Sequence, residues 1–517
     1  MEDDAKKYDS YIILNNNKNS LSKKTRKDLN IENLFNHIDY TSSCIGKQYL
    51  YHILCTDKKS NVNEHEEFIE KLTSSNDLRN DLIKQLKKLS NPNAYSIVDI
   101  LSETPHTYSK NYILLLQICR WLPAISLCLL FIIKTSYVPF ILLIISYIFN
   151  GYLHFQQKNI LSCYFFSIPQ LYKLITVAKT LNTNHQIQIN NNIEPSISKL
   201  SQLQSKLKRF RIDISLESEA AMLFYLFSEL FNIFTLNSTI NIVNSFILIQ
   251  KQKKEIEDIF RYVGFLDTLC SISILREKTP YYCIPNSNKE NERLYAHSVY
   301  HPLINGCIEN DIQINNKSAL ITGTNMAGKT SFIRTIAINV LCGKVLNTCF
   351  AKEFRVEDIK IYTAIHTNDE LTEGKSYFFK EAENINEILN KHNDKKYLII
   401  LDEIFKGTNP TERLAINASI HSALADMGHI ILSSSHEQQL INFINDKYDL
   451  YHFSEIIIDG ELQFDYKLRS GTSKEGNAIK ILQILGYPQE IINYSHNIVK
   501  QIKNNNKQNN ITYISNH

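Results

Sequence analysis

The sequence predicts an α plus α/β fold: helical regions around an apolar helical hairpin, then an α/β domain. Three observations predict it. Apolar residues recur at helical spacing from Ile31 to about Leu101, and the chain again reads as helical from Phe165 to about Lys254. Between them, Tyr112 to Phe155 is the most apolar part of the chain. After Pro280, short β-rich runs alternate with helical patterns, the texture of a parallel sheet covered by helices.

At 517 residues the chain is too long for one ordinary core. Apolar residues make up 44%, as in a globular protein, and the net charge is +3. That balance excludes a chain that binds nucleic acid by bulk charge, so any DNA contact needs a local basic surface. Ten cysteines carry no paired metal spacing. Cys44, Cys55, Cys119, Cys128, Cys163 and Cys270 lie in apolar stretches, which predicts reduced, buried thiols. The N-terminus has no apolar core of a signal peptide, and none is expected. Residues 1–30 are polar and expected to be poorly ordered. The expected organisation continues with a helical part over 31–110, the hairpin over 111–157, a second helical part over 158–280, the α/β domain over 281–495 and a polar tail over 496–517.

In chain order, Ile31, Leu34, Phe35 and Ile38 share one helix face, and Leu82, Ile83, Leu86 and Leu89 another. Asn91, Pro92 and Asn93 mark a break. Two apolar runs follow, Trp121 to Ile133 and Val138 to Phe149, with Lys134 in the turn between them. A bilayer span takes ~20 apolar residues, and the second run reaches that from Tyr137 to Phe155. Trp121, Tyr137, Tyr147 and Tyr152 suit an aromatic belt, while Lys110, Arg120 and Lys158 flank the hairpin on one side. The hairpin over 112–155 is expected to span a membrane and return both flanks to the cytoplasm. The other reading is a helical hairpin buried in a large soluble, cytoplasmic domain. Met222 to Ile249 is also apolar, but Glu229, Asn232, Asn237, Asn241 and Asn244 interrupt it, so it reads as one long core helix.

The α/β region carries a phosphate-binding pattern. Gly323, Thr324, Asn325, Met326, Ala327, Gly328, Lys329 and Thr330 fit G-x-x-x-x-G-K-[ST], the Walker A loop, and Ser331 follows. The pattern follows the apolar run Ser318 to Thr322 and opens a helix expected from Ser331 to Leu346. Glycines let the backbone curl round an anion, and freed amides with a helix N-terminus point positive dipole at it. Lys329 is expected to reach the β- and γ-phosphates of ATP, and the Thr330 hydroxyl to ligate Mg²⁺. Downstream, the apolar run Tyr397 to Leu401 ends in Asp402 and Glu403. Asp402 is expected to hold Mg²⁺ and Glu403 to act as general base; the alternative is that the pair caps the next helix. A helix from Thr411 to Met427 and a strand from His429 to Ser433 lead to His436. His436 reads as a sensor of the γ-phosphate or of the attacking water, or else as a loop residue.

Together these pieces resemble the MutS family of DNA mismatch repair ATPases. The stretch from Thr322 to Arg334 is similar to that family's phosphate loop, including the Asn325–Met326 pair. Glu373 to Glu381 resembles the segment whose serine, here Ser376, acts on the partner subunit's nucleotide. Asp402 to Thr408, Ser435 with His436, Tyr466 to Leu468, Leu485 to Pro488 and His301–Pro302 resemble further family segments. The resemblance is specific from about His301 to Pro488 and weaker upstream, at Ile38 to Gly46 and Phe265 to Leu269. It implies a helical core and lever domain followed by a P-loop ATPase domain of the ABC type. It also implies ATP and Mg²⁺ as ligands, a homodimer through the ATPase domain, and double-stranded DNA as a partner. Three departures stand out. The family's mismatch-reading and connector domains find no room, the apolar hairpin stands where its DNA-gripping clamp would be, and Cys307 replaces an aromatic residue beside adenine. Ile308 and Asn310 are left to line that base pocket.

Overall fold

A computed structural model describes residues 20–102, 108–133, 135–162, 164, 167–184, 193–208, 219–286, 292–324, 327–365, 377–390, 396–406, 408–458, 461–472, 479, 482–483, 486–499 and 501. The chain forms two compact units. The first holds residues 1–20, 38–56 and 60–278, and the second holds 21–37, 57–59 and 279–517.

Among its described residues the first unit is helical. Helix α1 (Cys44–Leu54) starts where the Ser43 hydroxyl accepts the Gly46 amide, satisfying one of the orphan donors of the first turn. The long return helix Lys253–Lys278 packs on it and buries Asp267. The Asp267 carboxylate accepts the Ser42 and Ser43 amides at 2.9 and 2.8 Å. Burial pushes its pKa up to about 6 against the pull of these hydrogen bonds. Helices α2 (Lys110–Ile132) and α3 (Val138–Ser162) form the apolar hairpin, and the Ser109 hydroxyl caps α2 at the Tyr112 amide. Cys128 is exposed on α2, so it departs from the expectation of buried thiols that Cys44, Cys55, Cys119 and Cys270 meet. Cys163 lies outside the described residues.

The expected single helix from Met222 to Ile249 is two helices, α4 (Glu219–Thr235) and α5 (Asn237–Lys251), bent by 68°. Leu236 between them takes a left-handed φ of 49° and is fully buried. Packing of the leucine side chain stabilises a backbone that a leucine alone avoids.

The second unit is the α/β part. Its main sheet has the order β5 (Lys360–Ala364), β6 (Tyr397–Asp402), β7 (Ile430–Ser435), β3 (Ser318–Thr322), β8 (Tyr448–Ile458), β9 (Glu461–Ser470). The first five run parallel and β9 is antiparallel. Strands β3, β6 and β7 are buried along their whole length, as parallel strands with both faces covered must be. A second, antiparallel sheet of β2 (Asn310–Ile314), β1 (Leu294–Val299) and β4 (Glu353–Val356) has no counterpart in the sequence reading. Helix α6 (Lys329–Leu346) has buried residues on every side and lies against β6 and β7.

Part of the N-terminal segment expected to be disordered belongs to this unit. Leu21, Thr25, Asp28 and Leu29 are buried, and Ser22 caps the helix Lys23–Asp28. Asp28 Oδ2 accepts the Thr363 hydroxyl at 2.7 Å, and its carbonyl accepts Arg334 Nε at 2.7 Å. The polar composition hid two leucines and an aspartate that fill the space beside β5.

Candidate active site

The carboxyl ends of β3, β6 and β7 meet at one edge, the edge where ligands bind in open parallel sheets. Register aligns Thr322 with Ser435 and Asp402 with Ser434. Thus the glycine turn after β3, the acidic pair after β6 and His436 after β7 converge by strand pairing alone.

The turn is built for close approach. Gly323 and Gly328 hold φ of 138° and 97°, regions that residues with a Cβ rarely adopt. A methyl at Gly323 would stand 2.9 Å from the Phe453 carbonyl, and one at Gly328 would stand 3.1 Å from the Tyr466 ring. Ala327 is buried, and its amide donates to the Thr324 carbonyl at 3.2 Å. The Thr324 hydroxyl is buried with no hydrogen-bond partner among the described residues. Asn325 and Met326 lie outside the described residues, as does Ser376.

Lys329 is 1% exposed, an extreme burial for an ammonium. Its Nζ donates to the carbonyls of Gly323 at 2.6 Å and Thr324 at 2.9 Å, and stands 3.4 Å from Glu403 Oε1 and 3.2 Å from His436 Nε2. Burial lowers its pKa, with Glu403 and Asp402 opposing. Thr330 and Ser331 open α6, and the Thr330 hydroxyl donates to Asp402 Oδ2 at 2.8 Å. Ser434 donates to the other oxygen of Asp402, which is buried.

Glu403 lies just past the end of β6 with a left-handed φ of 49°, and its amide donates to the Ser434 carbonyl at 3.1 Å. Its carboxylate meets His436 Nε2 at 2.5 Å and pairs with Lys406. Burial raises its pKa, but His436, Lys406 and Lys329 outweigh that and bring it down to about 2. A cavity of about 320 Å³ opens beside Glu403 and His436 and reaches Arg413, Asn417 and His421.

The residues fit a magnesium nucleotide on three counts. The glycine turn leaves a cradle that a Cβ would fill, a buried threonine hydroxyl lacks a partner, and Thr330 with Asp402 offers two hard oxygen donors side by side. Asn310 ties the start of β2 to β9. Its amide donates to the Tyr466 carbonyl at 3.0 Å and its oxygen accepts the Leu468 amide at 2.7 Å, so the side chain is spent on β9.

Two further residues emerge only in three dimensions. Tyr466, half exposed with φ of 52°, presents its ring to the Gly328 turn. Glu381, buried on helix α7 (Tyr377–Leu389), accepts the Phe405 amide at 2.7 Å. The single signal for either was its place in a stretch resembling the family.

Comparison with known proteins agrees with this geometry. Residues 319–503 match the family model of MutS domain V. This match supports a member of the MutS family. The DNA mismatch repair protein MutS of Clostridium botulinum (strain Okra / Type B1) is 27% identical over 266 residues, which cover 48% of this chain and 28% of that protein. Its namesake from Clostridium novyi (strain NT) is 27% identical over 277 residues, covering 51% of this chain and 30% of the relative. The chain thus spans less than a third of the length of these relatives.

Proposed function

We propose that this chain binds ATP with Mg²⁺ and hydrolyses it at a P-loop site, as a dimer tethered to a membrane by α2 and α3. The observation that carries the ATPase reading is the junction of Thr330 with Asp402 at 2.8 Å and of Lys329 with Glu403 at 3.4 Å. It joins a phosphate-sized cradle to a carboxylate pair, the arrangement phosphoryl transfer requires.

Thr330 and Asp402 would hold the Mg²⁺, which neutralises charge on the β- and γ-oxygens when bound. Lys329 leaves the Gly323 and Thr324 carbonyls to meet the phosphates. That move removes one cation from Glu403 and raises its proton affinity towards the range a general base needs. Glu403 then takes a proton from water as the water oxygen attacks the γ-phosphorus and the bond to the ADP oxygen breaks. His436 holds the Glu403 carboxylate in place throughout. The Tyr466 ring offers a face on which the base can stack in place of the aromatic residue that Cys307 replaces, with Ile308 and Asn310 lining the pocket beside it. Ser376, supplied by the partner subunit, would complete the site. The purified chain should release phosphate from MgATP, and Lys329→Ala should lower the rate by about 100-fold or more. Equal rates in both proteins would defeat the ATPase reading.

The membrane reading rests on an inverted polarity. On the hairpin Trp121, Phe131, Ile132 and Ile148 are exposed by 60–76%, while Asn150, His154 and Gln157 are buried. Water selects the opposite distribution, and hydrocarbon selects this one. Each candidate span has 23 residues, about 34 Å of helix against a hydrocarbon core of ~30 Å. Double-stranded DNA enters the proposal through the relatives' mismatch repair name alone.

A further inference from the structure

We infer that α4 and α5 form a third membrane element, a re-entrant turn that dips into the same leaflet from which the hairpin enters and returns without crossing. The inference rests on the membrane reading of α2 and α3 and extends it to residues that the sequence assigned to a buried core helix.

Three observations carry it. First, among the described side chains of α4 the exposed ones are aromatic and aliphatic: Phe227, Leu230 and Phe231 are 69%, 51% and 63% exposed. This face continues the apolar surface of the hairpin, because α4 packs on both α2 and α3. Second, the one acidic side chain described on α4, Glu229, pairs inward with α3. Glu229 bonds His154 Nε2 at 3.0 Å and Lys158 at 3.2 Å, both on α3. Asn150, fully buried on α3, donates to the Cys119 carbonyl of α2 at 3.2 Å and to the Phe234 carbonyl at the end of α4 at 3.5 Å. Ionisable and amide groups inside a membrane bundle face one another in this way, with apolar side chains outward. Third, the contacts run along α3 in one direction and back. Glu229 meets residues 154 and 158, Phe234 meets 150, the chain turns at Leu236, and Thr239 of α5 returns to His154 at 3.1 Å. Asn150 lies about 18 Å along α3 from Val138 by helical rise, so the turn reaches roughly 12 Å below the near interface of a ~30 Å core. The freed backbone groups at Leu236 sit against protein, the condition for irregular backbone at that depth.

The occupant of the α4 face is therefore acyl chain. The test uses the protein's single tryptophan, Trp121, on the hairpin. In phosphatidylcholine vesicles carrying brominated acyl chains, native Trp121 fluorescence should be quenched. A Trp121→Phe/Phe231→Trp variant moves the probe to α4, and Trp121→Phe/Phe227→Trp is a second placement should the first fail to fold. Quenching of the α4 tryptophan by brominated lipid, with protection from aqueous iodide, is the expected result. Quenching of Trp121 by lipid while both α4 probes are quenched by iodide alone would overturn the re-entrant turn and leave the tether standing. Iodide quenching of Trp121 as well would defeat the tether and the turn together.

Discussion

At the scale of single residues, the surroundings of Glu403, the proposed base, keep it ionised. A carboxylate whose folded pKa is depressed contributes stability above its unfolded value, near 4.5, and loses it as pH falls towards about 2. In the nucleotide-free chain Glu403 should therefore stay ionised above about pH 4.5 and give no acid limb to kcat/KM there. The buried histidines act in the same direction at higher pH. His421 donates from Nδ1 to the Asn417 carbonyl at 2.7 Å, accepts from the Ser433 hydroxyl at 2.8 Å, and has its pKa lowered to about 4 by burial. His301 is lowered to about 4 as well, again by burial first. Each is neutral when folded and takes a proton on unfolding between about pH 6.5 and 4, so stability falls as pH drops through that window. The melting temperature should decline from pH 7 to 5, and His421→Gln should flatten the decline. An unchanged slope in that variant would remove His421 from the explanation.

Among the elements, α7 meets the loop after β6 through the hydrogen bond of Glu381 to the Phe405 amide and the packing of Phe378 on the Phe405 ring. Glu403 and Phe405 both sit at left-handed φ, 49° and 62°, and the Phe405 amide is held by Glu381 of α7. Such a backbone persists only where its neighbours over-determine it. Glu381 is therefore a positioning residue. Glu381→Ala should lower kcat by roughly tenfold with KM nearly unchanged, because the loss is of base orientation and not of nucleotide contact. Glu381→Gln keeps an acceptor oxygen and should restore most of the rate; a rise in KM instead would contradict the assignment. These cases also mark what the sequence could reveal. The runs Ser318–Thr322 and Tyr397–Asp402 were legible because a strand buried on both faces is continuously apolar. The Gly323–Thr330 turn was legible because its backbone demands glycine. Glu381 and Tyr466 act across long sequence separations, and the bend at Leu236 rests on packing that places a leucine where propensity would not. In the small sheet, β4 joins β1 from more than fifty residues away, beyond the reach of local pattern.

For the whole molecule, two compact units carry two kinds of surface: a glycine turn beside a carboxylate pair in one and a hairpin with exposed apolar and buried polar side chains in the other. If the membrane is the partner, turnover should respond to phosphatidylcholine vesicles. A rate that responds to duplex DNA and ignores vesicles would return the chain to DNA binding, and that response should then weaken steeply with salt.

The central claim is that one pocket both binds MgATP and cleaves it through Glu403. The most direct measurement is a single-turnover experiment with radiolabelled ATP on Glu403→Gln beside the unaltered chain. The account predicts that the variant retains labelled ATP after gel filtration and releases no phosphate, while the unaltered chain converts its bound ATP to ADP. Phosphate release by the variant at the parent rate, or failure of both proteins to retain nucleotide, would contradict it.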